Sequence, residues 1–97
     1  MDTERSETLR DAVEVWGEDA QIDVAIEELS ELTTELARRQ RGRESPVAIV
    51  EEIADVQVCL DQLKLMYGRE QVAEAEREKL DRLRRRAEAC RDGGESA

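Results

Sequence analysis

The chain has 97 residues, a formal net charge of -10 and only two aromatic residues, Trp16 and Tyr67. An acidic balance this strong excludes non-specific binding to nucleic acid or to an anionic membrane surface, both of which need basic patches. Histidine is absent, which excludes His-based triads and His-ligated zinc.

Hydrophobic residues make up 39% of the chain, enough for one folded domain near the lower end of the size range that buries its own core. Wealth in Ala, Glu, Leu and Arg predicts an all-α protein. Residues 1–90 read as one domain and 91–97 as a flexible tail. No apolar run approaches a membrane span, and Met1-Asp2-Thr3-Glu4 does not begin a signal peptide, so a cytoplasmic location is expected. Cys59 and Cys90 form no metal-binding pattern; Cys59 reads as a small core residue.

The first predicted helix covers about residues 4–16, with Leu9, Ala12, Val13 and Trp16 on one face and Gly17 as its stop. The second runs from Asp19, read as N-cap, to Arg41. Its stripe is Ile22, Ala25, Ile26, Leu29, Leu32, Thr33 and Leu36, and Gly42 closes it. The third begins with Ser45 as N-cap and Pro46 at the first helical position, and ends before Gly68. It carries one stripe of Ile49, Ile53, Val56, Leu60 and Leu63, and a second line of Val47, Ala54, Val58 and Leu65. A helix apolar on two sides is central in a bundle or packed on another subunit, and a chain this short favours the subunit contact. The fourth helix covers about residues 70–90 and is strongly basic in its last turns.

Two acidic clusters sit inside these apolar runs: Glu27-Glu28-Leu29-Ser30-Glu31 and Glu51-Glu52-Ile53-Ala54-Asp55. Glu28 with Glu31, and Glu52 with Asp55, stand three residues apart, a spacing that puts both carboxylates on one helical face. Glu31 and Asp55 are each twelve residues from Arg43. An antiparallel helical hairpin folded at that turn therefore brings the pairs to one level. On a helical wheel both pairs lie on a shoulder of the apolar stripe, where they either face each other or both face away. Facing each other, four carboxylates repel unless a cation sits among them. A hard divalent ion with oxygen ligands, Mg²⁺, suits them, with Mn²⁺ as substitute. Glu27 is a candidate for holding a water near the site, and Glu35 reads as surface.

Glu-Glu-x-x-Glu followed after a turn by Glu-x-x-Asp resembles the signature of the MazG-like all-α nucleoside triphosphate pyrophosphohydrolases. Trp16-Gly17, Gln21-Ile22-Asp23, Leu60-Asp61-Gln62-Leu63-Lys64 and Lys79-Leu80-Asp81-Arg82-Leu83 extend the likeness to small phage-type members over roughly residues 13–86. The resemblance implies a compact four-helix unit that forms a homodimer or a dimer of dimers. It implies Mg²⁺-dependent hydrolysis of a nucleoside or deoxynucleoside triphosphate to the monophosphate and pyrophosphate, with Glu28, Glu31, Glu52 and Asp55 as metal ligands. Lys79 and Arg82 share a face of the fourth helix and either contact phosphates or serve the helix dipole. Trp16 either fills the core, the favoured role, or stacks on a base. Gln21 either hydrogen-bonds a base or caps a helix. Two rival readings are a phosphoribosyl-ATP pyrophosphohydrolase-like enzyme and a non-enzymatic acidic helical interaction module.

Overall fold

The computed structural model describes residues 2–93. Among them are four α-helices: α1 (Thr3–Trp16), α2 (Glu18–Gln40), α3 (Pro46–Tyr67) and α4 (Arg69–Arg91). No strand is present among the described residues, and none of the helices is long and apolar enough to cross a membrane. Two compact units divide the chain, Met1–Met66 and Tyr67–Ala97. Of the expected tail, Arg91 closes α4 and Asp92 caps it; Gly94–Ala97 lie outside the described residues.

The helix boundaries follow from local chemistry. Asp2 accepts the Arg5 N–H on Oδ1 at 2.7 Å and starts α1. Gly17, at φ +89°, ends α1 and begins α2 at once. Its N–H donates to the Val13 carbonyl at 2.7 Å, and its carbonyl accepts from the Gln21 N–H at 3.2 Å. The N-cap of α2 is thus Gly17 and not Asp19, because the helix starts a residue earlier. At the other end Gly42 takes the left-handed position, φ +75°. The Arg43 N–H reaches back to the Arg38 carbonyl at 2.9 Å, and the Gly42 N–H to that of Arg39 at 3.1 Å. That pair of bonds satisfies the carbonyls orphaned by the helix end. Ser45 Oγ then accepts the Ala48 N–H at 3.4 Å and caps α3, as expected from Ser-Pro.

In the first unit the core is small. Leu9, Ala25, Val56 and Cys59 are its buried apolar residues, joined by Ser6 and Gln62. The Gln62 Nε2 donates to the Leu9 carbonyl at 3.1 Å, and the Arg5 Nε donates to Asp61 Oδ2 at 2.8 Å. These two bonds fasten α1 to α3 at a buried and a part-buried point.

The apolar stripes predicted for α2 and α3 bury only in part: Ile22, Ala25 and Leu32 on α2 and Ile49, Val56 and Leu63 on α3 turn inward, and the rest of each stripe does not. On α2 the sheltered residues are Gln21, Ile22, Ala25, Glu28, Leu32 and Glu35, while Ile26 is 61% exposed and Leu29 and Leu36 are also exposed. On α3 they include Ile49, Glu52, Val56, Cys59, Gln62, Leu63 and Leu65, while Ile53 is 50% exposed and Val47, Val58 and Leu60 face solvent. Each inward face is rotated from the stripe and runs through a carboxylate. Glu35, expected at the surface, is half-buried and lies 3.8 Å from the Arg38 Nε.

In the second unit α4 buries no residue. Ion pairs run along its surface, from Arg84 to Asp81 at 2.7 Å and to Glu88 at 3.1 Å, and from Arg85 to Asp81 at 3.2 Å.

Candidate metal centre

Rotation of the inward faces decides the geometry of the acidic clusters. Glu28 follows Ala25 on the sheltered side of α2, and Glu52 precedes Val56 on that of α3. Their i, i+3 and i, i+4 spacing keeps them in register with the core. Glu28, Glu31 and Glu52 each offer a carboxylate oxygen, and the three oxygens lie within 4.8 Å of one another. Two helices distant in sequence thus deliver one acidic group.

Glu28 Oε2 and Glu52 Oε2 are shut off from solvent and have no hydrogen-bond donor. The side chains as wholes are half-buried; it is these inner oxygens that water does not reach. A charged oxygen so placed is costly, since it has lost water and gained no partner. The cost shows in the acidities. The Glu28 carboxyl is pushed up from 4.5 to about 7, first by desolvation and then by the charges of Glu31, Asp55 and Glu52. The Glu52 carboxyl is raised too, by desolvation and then by the charge of Glu31. With its midpoint near 7, the Glu28 carboxyl is about half protonated at neutral pH, where an ordinary glutamate is ionised.

Asp55 is exposed and stands outside the group of three. Its charge nonetheless raises both Glu28 and Glu52, so it belongs to the same electrostatic cluster. Glu27 is exposed on α2 and is not one of the three. Gln21 is half-buried in the first turn of α2. Trp16 is 66% exposed at the end of α1, which corrects its favoured reading as a core residue. Its ring is open to an outside ligand because α1 ends there at Gly17. Lys79 and Arg82 are exposed on α4, in the second unit.

Cys59 joins the neighbourhood, which sequence reasoning did not anticipate. It sits seven residues after Glu52, two turns along the same face of α3. Burial pushes its thiol up, and the charges of Glu28 and Asp55 push it further. A thiol so held stays protonated and is no nucleophile. The i+7 relation to Glu52 was the signal that could have linked the two.

The donor set is all carboxylate oxygen, close-spaced and short of positive partners. Such a set suits a hard divalent cation and would be poor for a soft one. The two orphaned oxygens are the structural sign of fit, since a cation between α2 and α3 would satisfy both. No family model, no curated protein and no solved structure matches this chain.

Proposed function

We propose that the chain is a Mg²⁺-dependent nucleoside triphosphate pyrophosphohydrolase of MazG-like type, cutting between the α- and β-phosphates. The observation that carries this reading is the meeting of Glu28, Glu31 and Glu52 with two solvent-free oxygens lacking a donor. Their meeting across the Arg43 turn also supports the antiparallel hairpin inferred from the spacing. An inward acidic face weakens the fold unless the site is put to use.

Glu28, Glu31 and Glu52 would hold Mg²⁺ from α2 and α3, with the carboxylate of Asp55, one turn along α3, as a further ligand. When bound, Mg²⁺ would supply charge neutralisation to a triphosphate. The carboxylates orient the water that attacks the α-phosphorus and take its proton. No side chain of the cluster is a competing nucleophile, since Cys59 is kept as a thiol. Trp16, open to solvent, is the residue we assign to stacking on a base.

The exposed apolar residues of α3, Val47, Ile53, Val58 and Leu60, support assembly into a homodimer or a dimer of dimers. Large apolar side chains left open in such numbers mark a contact surface.

Hydrolysis in ¹⁸O-labelled water, with a panel of nucleoside and deoxynucleoside triphosphates, tests the reaction. Label is expected in the monophosphate and absent from pyrophosphate. A nucleoside diphosphate with labelled orthophosphate would make the protein an ordinary NTPase. No hydrolysis across the panel with Mg²⁺ or Mn²⁺ would leave a non-enzymatic metal-binding module.

A further inference from the structure

Basic charge gathers at the turn between α2 and α3. The unit Met1–Met66 carries seventeen acidic side chains and seven basic ones, and four of the seven, Arg38, Arg39, Arg41 and Arg43, stand within six positions. All four are exposed. Side by side they repel one another, so their grouping needs a cause. The helix dipole accounts for two of them, since Arg38 and Arg39 lie in the last turn of α2, where cations are favoured. The same two have acidic neighbours. The Arg38 Nε lies 3.8 Å from Glu35 and the Arg39 Nε 4.0 Å from Glu44, and the Arg39 Nη1 donates to Gln40 Oε1 at 2.6 Å. Arg41 is the C-cap and Arg43 lies beyond the helix. Neither of their side chains has an ion pair or hydrogen bond among the described residues.

The backbone that carries these two arginines is fixed. The N–H groups of Arg41 and Arg43 donate to the Arg38 carbonyl at 3.1 and 2.9 Å, and that of Gly42 donates to the Arg39 carbonyl at 3.1 Å. Gly42 supplies the left-handed conformation, φ +75°, that the turn needs. Two unpaired guanidinium groups thus stand on a turn whose ordering is already complete, which lowers the cost of binding.

We propose that this turn binds a compact oligophosphate, held by Arg41 and Arg43 with Arg38 and Arg39 as supporting charge. A guanidinium fork matches phosphate oxygens two at a time. The N–H groups of the turn are spent on α2 carbonyls, so side chains do the binding. The start of α3 at Pro46 adds the positive end of a helix dipole.

Compactness follows from the surroundings. Glu35 and Glu44 are each set against an arginine of the cluster. Glu31 stands about 14 Å before the end of α2, and Glu51 and Glu52 stand about 8 and 9 Å beyond Pro46 on α3. The screening length at physiological salt is about 8 Å, so these acids act weakly on a small anion at the turn. A longer chain of negative charge, nucleic acid or acidic peptide, must cross a surface with exposed Glu27, Glu31, Glu51 and Asp55 and is repelled. The other basic run, on α4, is less available, because Arg84 and Arg85 are paired with Asp81 and Glu88. The turn is separate from the carboxylates proposed above to hold Mg²⁺, and it does not rest on the enzymatic reading.

Inorganic triphosphate is the probe, added to the full chain in buffer stripped of divalent ions, so that no metal bridges it to carboxylates. Nuclear magnetic resonance of ¹⁵N-labelled protein should show saturable shifts at the Gly42 amide and at the Arg41 and Arg43 Nε–H groups. Arg41→Gln with Arg43→Gln should keep the circular dichroism of the parent and weaken binding roughly tenfold or more. Arg84→Gln with Arg85→Gln removes the same charge from α4 and should change the affinity by less than about twofold. A nucleoside triphosphate tested in parallel identifies the source: equal affinity supports free oligophosphate, and tighter binding supports the phosphate tail of a nucleotide. No saturation by about 10 mM, shifts centred on α4, or equal losses in the two double variants would each overturn the proposal. So would tighter binding of a single-stranded oligonucleotide or a polyglutamate peptide than of triphosphate. Hydrolysis is not read in this experiment, so the site and the enzymatic reading fail separately.

Discussion

Binding of Mg²⁺ to the acidic cluster should release a proton, and the amount should depend on pH in a calculable way. The Glu28 carboxyl sits at about 7 because it is desolvated and surrounded by Glu31, Asp55 and Glu52. A cation needs the ionised form. With a midpoint near 7, the group is about 0.9 protonated at pH 6 and about 0.1 at pH 8. Binding should therefore expel close to one proton per site at pH 6 and very little at pH 8. Because Glu28 and Glu52 interact, the proton belongs to the cluster and not to one residue alone. Isothermal titration calorimetry of Mg²⁺ in buffers of different ionisation enthalpy reads that number directly. Glu28→Gln should shrink the difference between the two pH values, with Glu52 carrying what remains. Equal release at pH 6 and pH 8 in the parent, or a binding heat independent of buffer at pH 6, would refute the reasoning about the cluster. The same shift fixes the sign of a stability effect. The folded state holds a proton that the unfolded chain gives up near 4.5. The metal-free protein should thus lose stability as pH rises from about 4.5 through 7, and Mg²⁺ should restore it above that range.

Glu31→Gln and Asp55→Asn should each abolish turnover with helix content unchanged, because both residues are exposed and neither fills the core. Full activity in both, measured as pyrophosphate release, would remove the metal-site assignment. Gln62→Ala should cost about 2 kcal/mol, from the lost bond to the Leu9 carbonyl and the space left behind, and should lower the melting temperature by roughly 8–16 °C. Gln62→Leu, which loses the bond alone, should cost about half as much. Arg5→Ala should cost less than about 1 kcal/mol, since Arg5 is partly exposed and Asp61 keeps Lys64 at 3.5 Å; a larger loss would mean that the bond orders α1. Val58→Glu should reduce the assembled mass in sedimentation at micromolar concentration, and an unchanged mass would move the subunit contact elsewhere.

Helix ends were largely legible, because each is governed by one or two residues with strong local preferences. Gly17, Gly42, Ser45-Pro46 and Gly68 stand where the chain turns, and the structure uses all of them at or beside helix termini. Which face of each helix turns inward was legible only in part. Counting apolar residues selects Ile22, Ala25 and Leu32 on α2 and Ile49, Val56 and Leu63 on α3, which are sheltered, together with Ile26, Leu29, Leu36, Ile53 and Leu60, which are exposed. Hydrophobicity votes against any face that includes a carboxylate, so Glu28 and Glu52 were assigned to a shoulder. Their convergence followed from spacing about Arg43, a feature indifferent to hydrophobicity, and that part was readable. Asp55 stands outside the group of oxygens that Glu28, Glu31 and Glu52 bring together, a distinction that i, i+3 spacing cannot make. Cys59 went unnoticed as a neighbour because its own apolar surroundings already accounted for it.

The inward position of Glu28 and Glu52 has a consequence for anyone who sets out to improve this protein. A laboratory selection for heat resistance, run in a chelating medium, rewards whatever relieves the worst strain. Two carboxylate oxygens closed off from water without a donor are the obvious place for relief. Libraries passed through such a selection should drift towards Gln, Met or Leu at these two positions, and the survivors should be sturdier and inert. The positions that fill first would then map the site without a substrate ever having been supplied.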